Sequence, residues 1–544
     1  MGVRRANRQP RIIVLRSTAD VHPRPTPNPQ SLIAALSTQI ETLLPASLPH
    51  ATPLSGWRRV LGDWIVVSGA TIVTQALGTA ISLVLRMVMS PAQMGVWQAL
   101  KLFLTNANYA NLGISKGAAR EFTIAIGRGD PGAVQHDLDL AHTVNTLSSL
   151  LYFAAMGGAG LWIGCTGHGE WARTWAIGLT VVGALAAVQR YVTFQVTLMR
   201  SKQDFTSTSR LSILEGVLTL VFCAPATWLW GLWGLYASTM AVLCASTWFI
   251  HSHGALPLAW AWETREIRRL VGIGSPMLLA GVVSTVFRSM DKLLILACLS
   301  DREFQLGCYS LALMVAGQLY GVGNMLSIVI GPRLGEHYGY SGNRRDVAHL
   351  TIRSSELLAA AIALPAALAM VAVPPLLGTL LPDYRTGLAP MLWLIPGVIA
   401  LTLALVPGQY LMAIDRQRWS LIAVVLATGI AAATIYAALR GGFGLQGVAI
   451  ASSGSYLAYF ALVAVPLWIE LDRPGRLRYL GMHALAVVPS VAVAGVVEYL
   501  RPTAGLNVAE VIAKISLVTI VWGLTLAVGW QFCGWREAIA RKTR

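Results

Sequence analysis

From Trp64 onward the chain is a succession of apolar stretches about 20 residues long, parted by short polar or charged breaks. A helix of that length covers roughly 30 Å, the thickness of a bilayer's hydrocarbon core. In hydrocarbon every backbone N–H and C=O must find its partner inside the protein. The expected fold class is therefore an all-α polytopic membrane protein. Fourteen helices are expected, at about 64–85, 93–113, 140–164, 172–198, 209–230, 232–252, 271–299, 305–331, 351–373, 388–412, 418–439, 445–469, 480–500 and 512–533. The division between the fifth and sixth rests on "WLWGLWG" read as a turn.

Composition agrees. Charged residues make up 12% of the chain and hydrophobic ones 55%, where soluble proteins carry roughly 25% charged residues. That argues against a soluble enzyme, and the apolar fraction argues against disorder. The net charge of +16 comes without the clustered basic module that nucleic-acid binding requires, so no nucleic-acid partner is expected. The six cysteines are scattered, with no CxxC pair or Cys/His cluster. No metal, cofactor or disulfide framework is expected.

The basic residues also give an orientation. With the N-terminus placed in the cytoplasm, thirty of the 41 Lys and Arg fall on the cytoplasmic side and seven on the other. This positive-inside bias recurs at every cytoplasmic loop and puts both termini inside, in a cytoplasmic (inner) membrane. Residues 1–55, rich in Arg and Pro, read as a cytoplasmic tail. Within it, residues 31–45 place Leu32, Ile33, Leu36, Ile40, Leu43 and Leu44 near one helical face, as in an interfacial helix or a poorly ordered segment.

The chain resembles itself. "SPAQMGVWQAL" parallels "SDREFQLGCYSLAL", with Gly95 matching Gly307. "FQVTLMRSKQDF" parallels "GQYLMAIDRQRW", with Gln203 matching Gln417. "GLWGLYAS" parallels "GLQGVAIAS", with Gly231 matching Gly444. Three matches in order at nearly one offset imply two six-helix lobes, 56–257 and 258–470, with two further helices in 471–544. Six is even, so the lobes share an orientation and are related by an axis along the membrane normal. Two such lobes suit alternating access at a site near the midplane.

Polar residues inside the spans mark that site. A charge at the centre of a span costs about 2.5–3.5 kcal/mol on insertion scales and usually faces a cavity or a partner. The seventh helix holds Arg288, Asp291 and Lys292, with Arg288 and Asp291 spaced to pair at i,i+3. The second holds Lys101, followed by Thr105, Asn108 and Asn111 at helical spacing. The first carries Ser68, Thr71, Gln75, Thr79, Ser82 and Arg86 along one face. Interhelical hydrogen bonding explains the Ser and Thr members as well as a polar lining does. Arg190, in the fourth helix, reads first as a structural cation that snorkels or pairs with Glu215. Lys101, Arg288, Asp291, Lys292, Asn108, Gln75, Arg86 and Arg190 are the candidate substrate-binding residues.

The runs "GATIVTQALGTAISLVLRMVMSPAQMGVW", "GIGSPMLLAGVVSTVFRSMDKLLILACLSDREFQLGCYSLAL" and "GQYLMAIDRQRW" resemble the polysaccharide-transporter branch of the multidrug/oligosaccharidyl-lipid/polysaccharide flippase superfamily, which includes the Wzx-type O-antigen flippases. The resemblance covers about residues 58–540. It implies a cationic cavity for an undecaprenyl-pyrophosphate-linked sugar, translocated for O-antigen or exopolysaccharide synthesis. It also implies an H⁺ or Na⁺ coupling ion, with a polysaccharide polymerase among the partners. A pyrophosphate calls for cations in a low-dielectric site, and the basic excess within the spans agrees. A cation-coupled drug exporter of the same superfamily would call for acidic residues instead. A membrane glycosyltransferase, polymerase or ligase would call for a large outer loop or paired carboxylates. No Walker-type GxxxxGK occurs, so the expected activity is transport without covalent chemistry.

Overall fold

Every regular element among the described residues is helical, as the apolar stretches require. The computed structural model describes residues 54–128, 135–167, 171–202, 204–253, 256–500 and 507–532, excepting the side chains of 54–68, 123–128, 328, 329, 332 and 530–532. The tail, its amphipathic stretch and Gln203 fall outside them. In chain order the helices are α1 (Leu54–Val88), α2 (Pro91–Asn106), α3 (Ile114–Arg128), α4 (Gln135–Thr166), α5 (Ala172–Ser201), α6 (Phe205–Leu218) and α7 (Ala224–Ser252). There follow α8 (Thr264–Phe287), α9 (Met290–Cys298), α10 (Arg302–Ser341), α11 (Arg344–Leu380), α12 (Leu388–Leu403), α13 (Leu405–Ala413), α14 (Gln417–Arg440), α15 (Gly444–Glu470), α16 (Arg473–Leu500) and α17 (Val508–Phe532).

Twelve helical runs among the described residues are long and apolar enough to cross a membrane. One of them, Phe205–Ser252, is 48 residues long and breaks at Gly231, as "WLWGLWG" suggests. Gly231 has φ 57° and ψ −134°, a region closed to residues with a Cβ. Its repeat partner Gly444 has φ +55°, so the same left-handed step opens both final helices of the repeat. With that break the twelve runs hold thirteen of the fourteen helices expected, and the second, split into α2 and α3, is not among the runs long and apolar enough to cross.

Exposed tryptophans mark both membrane surfaces. On α7 after the Gly231 break, Trp233 and Trp248 are 48% and 72% exposed, and fifteen residues of helix separate them by about 22 Å. α10 is 40 residues long, roughly 60 Å, and so runs well past a bilayer core.

Four expected helices are interrupted, the fifth by a π-helical turn at Thr219–Cys223 between α6 and α7. The second ends as α-helix at Asn106, passes through a 3₁₀ turn at Ala107–Tyr109 and reverses local hand at Leu112 (φ 54°) and Gly113 (φ 88°) before α3. The seventh, expected unbroken over 271–299, stops at Phe287 and restarts at Met290. The tenth is broken between α12 and α13 at Ala404. Apolar length cannot reveal such breaks, because each side of them remains apolar.

The described residues from 58 onward pack as one unit. The closest helix pairs are α4 with α5, α12 with α15, α2 with α10 and α11 with α16. One core cluster takes Leu85, Met94 and Leu100 from the first half (α1–α7) and Leu311, Leu377 and Tyr384 from the second (α8–α15). The hydroxyl of Tyr384 donates to the carbonyl of Met89 at 2.8 Å. The chain between the halves is laid along α4. Gln135 Nε2 donates to the Pro257 carbonyl (2.9 Å), the Ala259 N–H to Asp139 Oδ1 (2.9 Å) and the Ala261 N–H to Thr143 Oγ1 (3.0 Å). Two residues of extended chain advance about 6.6 Å and one helical turn about 5.4 Å, so alternate strap residues meet successive turns.

Candidate functional site

Three seams join the halves and frame the candidate site. In the first, α1 runs antiparallel to α10. Arg86 Nη2 donates to the Ser310 carbonyl (2.8 Å) and Oγ (3.1 Å), and Nη1 to the Ser82 carbonyl (2.6 Å). Three turns away the Gln75 amide lies against Gly321, where a β-carbon would leave it no room. The pairs 86/310 and 75/321 keep one register, so these two members of the α1 stripe face the opposite half rather than lipid.

The second seam is the crossing of α2 and α10 at Gly95 and Gly307, where backbone meets backbone with no side chain between. The third joins α3 to α8 in the same manner, through Gly113 and Gly274. Beside it the Tyr109 hydroxyl shares a 2.6 Å hydrogen bond with Thr285 Oγ1, and Lys116 Nζ donates to the Met277 carbonyl at 3.2 Å. Small residues allow such backbone contact between membrane helices. Tyr109, Lys116 and Gly274 were not singled out from sequence. The "NANYANLG" interruption was the available signal, but its length looked like helix followed by loop.

Basic groups of the two halves also feel one another's charge. Lys101 on α2 lies within electrostatic reach of Lys292 on α9 and of Arg86 on α1. Lys101 is exposed and Lys292 half-buried, so the two like charges border accessible space. Arg288 is exposed too, its guanidinium 5.5 Å from the Tyr320 ring centre.

The expected Arg288–Asp291 pair does not form. The helix is broken between them, so the i,i+3 geometry is lost. Asp291 is 2% exposed, and its Oδ1 accepts from the Lys292 N–H at 2.8 Å. It faces Tyr309 rather than Arg288. The polar stripe of the second helix is divided as well. Thr105 Oγ1 bonds back to the Lys101 carbonyl (2.8 Å), and Asn108 sits in the 3₁₀ turn. Asn111 binds Ser115 (2.8 Å) and Asn145 (3.3 Å) at the break.

Arg190 belongs to a separate place. It neither snorkels nor meets Glu215, which lies beside Ser246 and Arg200. It is 2% exposed between α4 and α5, donating from Nη2 to Ser148 Oγ (2.6 Å) and Asn145 Oδ1 (3.2 Å). Its position eleven residues before the end of α5 gives no hint of these partners, which come from a different helix. Among the described residues no group of His, Cys, Asp and Glu is arranged to hold a metal.

A family model described as "Polysaccharide biosynthesis protein" matches residues 130–382. No curated protein sequence matches the chain. Among solved structures, the lipid II flippase MurJ in an inward closed conformation superposes with a TM-score of 0.66 at 11% identity, over 86% of this chain and 99% of that one. An inward-facing multidrug resistance MATE transporter of the MOP superfamily gives 0.60 at 14% identity, over 77% and 98%. A MOP superfamily transporter from Pyrococcus furiosus, described as having a binding pocket of reverse polarity, gives 0.55 at 14%, over 77% and 96%. The chain thus has the fold of these transporters.

Proposed function

We propose that the protein is a flippase that carries an undecaprenyl-pyrophosphate-linked oligosaccharide from the cytoplasmic to the outer leaflet for O-antigen or exopolysaccharide assembly. The observation that carries this reading is the approach of Lys101 and Lys292 from opposite halves. Two ammonium groups beside accessible space repel one another, and an anion between them turns that repulsion into attraction on both sides. A group of two linked phosphates suits the cluster, with Arg288 as a third contact and Arg86 as a cation behind it. Thr105, Asn108 and Gln75 supply amides and a hydroxyl for sugar.

Alternating access follows from the seams. The α2–α10 crossing lies toward the end assigned to the outer surface, and the α3–α8 contact toward the other. Parting one while the other holds would open the cations to one leaflet at a time. The matching polysaccharide-biosynthesis model and the fold likeness to a lipid II flippase support the same reading. The fold likeness to multidrug transporters leaves a drug exporter as the second reading. The cluster opposes it, because a cationic drug would meet three basic groups while the one carboxylate, Asp291, is turned into the protein.

The test is reconstitution of the full chain in proteoliposomes with a fluorescent undecaprenyl-pyrophosphate disaccharide on one leaflet. Its arrival on the other is read by a membrane-impermeant quencher, with H⁺ and Na⁺ gradients imposed in turn. Translocation above that of protein-free vesicles is expected. Its absence, together with export of an organic cation by the same vesicles, would replace this reading with the exporter.

A further inference from the structure

Arg190 presents a problem that the translocation site does not solve. Its guanidinium is 2% exposed, and among the described residues no carboxylate pairs with it. Only Nη2 is bonded; Nε and Nη1 have no protein partner. A buried cation left in that state is strongly unfavourable unless an anion completes it.

A space large enough for an anion lies on the far side of Asn145, and Arg190 itself is not on its wall. A cavity of about 220 Å³ lies between α4 and α5, lined by His142, Asn145, Thr146, Ser149, Ala187 and Tyr191, with Leu150 also on its wall. A single water needs only about 10–15 Å³, so the cavity admits a whole headgroup. Asn145 belongs to both places, lining the cavity and accepting from Arg190. The Nδ1 of His142 is a further buried atom without a partner.

The surroundings identify the kind of molecule. Leu150, 54% exposed, borders the cavity, and Leu147 and Leu151 beside it are 43% and 72% exposed. This face of α4 therefore meets acyl chains. Its depth can be measured against tryptophans. Trp162 is 71% exposed on α4, and His142 lies twenty residues before it, about 30 Å away, at the opposite membrane surface. There the exposed Trp260 ring of the interlobe strap sits 6.0 Å from the His142 ring. The cavity thus begins at a headgroup level and extends into the first turns of the hydrocarbon. The distribution of basic residues assigns that level to the cytoplasmic leaflet.

We infer that the α4–α5 cavity binds the phosphate of a cytoplasmic-leaflet lipid, with Asn145 and His142 on its wall, Arg190 behind Asn145 as the nearest buried cation, and the acyl chains along Leu147, Leu150 and Leu151. Basic pockets between membrane helices on this side bind anionic headgroups. The proposal does not rest on the flippase reading, since Arg190 is not among the basic groups around Lys101. The phosphate belongs to an anionic phospholipid or to a polyprenyl phosphate, and the experiment separates the two.

The full chain, delipidated in detergent, is titrated by native mass spectrometry with four probes. These are phosphatidylglycerol, diacylglycerol with the same acyl chains, undecaprenyl phosphate and inorganic phosphate. Phosphatidylglycerol or undecaprenyl phosphate is expected to bind roughly ten- to a hundredfold more tightly than diacylglycerol, the range for a hydrogen bond to a charged group. Whichever of the two binds is the occupant. Arg190→Gln should abolish the preference. Leu150→Trp, which fills the cavity mouth and leaves Arg190 in place, should also abolish it and serves if the first variant does not fold. Equal binding of diacylglycerol, or a preference that persists in both variants, overturns the proposal. So does binding of inorganic phosphate alone.

Discussion

Gly95 and Gly307 face each other across the α2–α10 crossing in a reciprocal arrangement. A β-carbon on Gly95 would strike the carbonyl of Glu303, four residues before Gly307. One on Gly307 would strike the carbonyl of Pro91, four residues before Gly95. The two glycines are matched in the internal sequence repeat, and their contacts are reciprocal. Gly95→Val or Gly307→Val should hold the helices apart at a cost of about 1–3 kcal/mol, the range for overpacking. A reporter at Ser310→Cys, at a site fully buried in the native protein, is expected to react with maleimide faster in either background. Unchanged labelling would mean that the crossing does not close this end.

Lys101→Gln and Lys292→Gln each remove one cation from the cluster. A unit charge about 4 Å from a phosphate is worth about 4 kcal/mol at an effective dielectric of 20, and desolvation offsets part of it. Transport of the lipid-linked sugar is therefore expected to slow tens-fold in each variant, at normal protein level. Normal rates in both single variants and in the double would show that the cluster does not bind the headgroup.

Arg288 gives a different expectation, because it faces Tyr320 instead of Asp291. Its replacement by Ala strands no carboxylate. It forfeits at most a cation–π contact worth about 1 kcal/mol, and the thermal midpoint should barely move while transport falls. A large loss of stability would indicate that the ion pair forms after all.

Glu356 and Arg478 tie α16 to α11 through two charge-assisted bonds, Arg478 Nε to Oε1 at 2.7 Å and Nη2 to Oε2 at 2.8 Å. Glu356 is 2% exposed. Arg478→Met leaves its carboxylate buried and should cost about 3–5 kcal/mol. The double variant with Glu356→Gln should recover a good part of that. A thermal-denaturation cycle in detergent checks it, and additive losses would contradict the pairing.

Reporter fusions test the orientation. A cytoplasmic reporter fused after residue 540 should be active and a periplasmic one inactive. The reverse result would overturn the basic-residue assignment and, with it, the leaflet given to the Arg190 cavity.

Sequence was informative wherever one chemical property decides the outcome. Apolar length located the crossings, and the Gly231/Gly444 match fell on two glycines that both take positive φ, which the match itself did not foretell. It was blind where an interruption leaves hydropathy unchanged, as at Phe287–Met290, and that break reassigns Asp291 from Arg288 to the protein interior. It was equally blind to partners brought by tertiary packing. Arg190 could be recognised as a cation in a span, but Asn145 and Ser148 come from another helix. Lys116 looked like one more positive loop residue until the α3–α8 seam gave its ammonium a carbonyl.

The strap along α4 has a mechanical consequence. It is pinned at Pro257, Ala259 and Ala261. Just beyond it, His136 meets Glu263 at 3.2 Å and Asp137 meets Arg269 at 2.7 Å. The chain entering α8 therefore has no slack to pay out. Under the alternating access proposed above, a swing of the second half would pivot near this post, like a door hung on one jamb. Displacement then grows with distance from the hinge, so the widest travel falls at the far edge, where α2 meets α10. The two bare glycine backbones can part and rejoin without exchanging a side-chain bond, so what that end must break is confined to the neighbouring bonds of Arg86 to Ser310 and of Tyr384 to Met89.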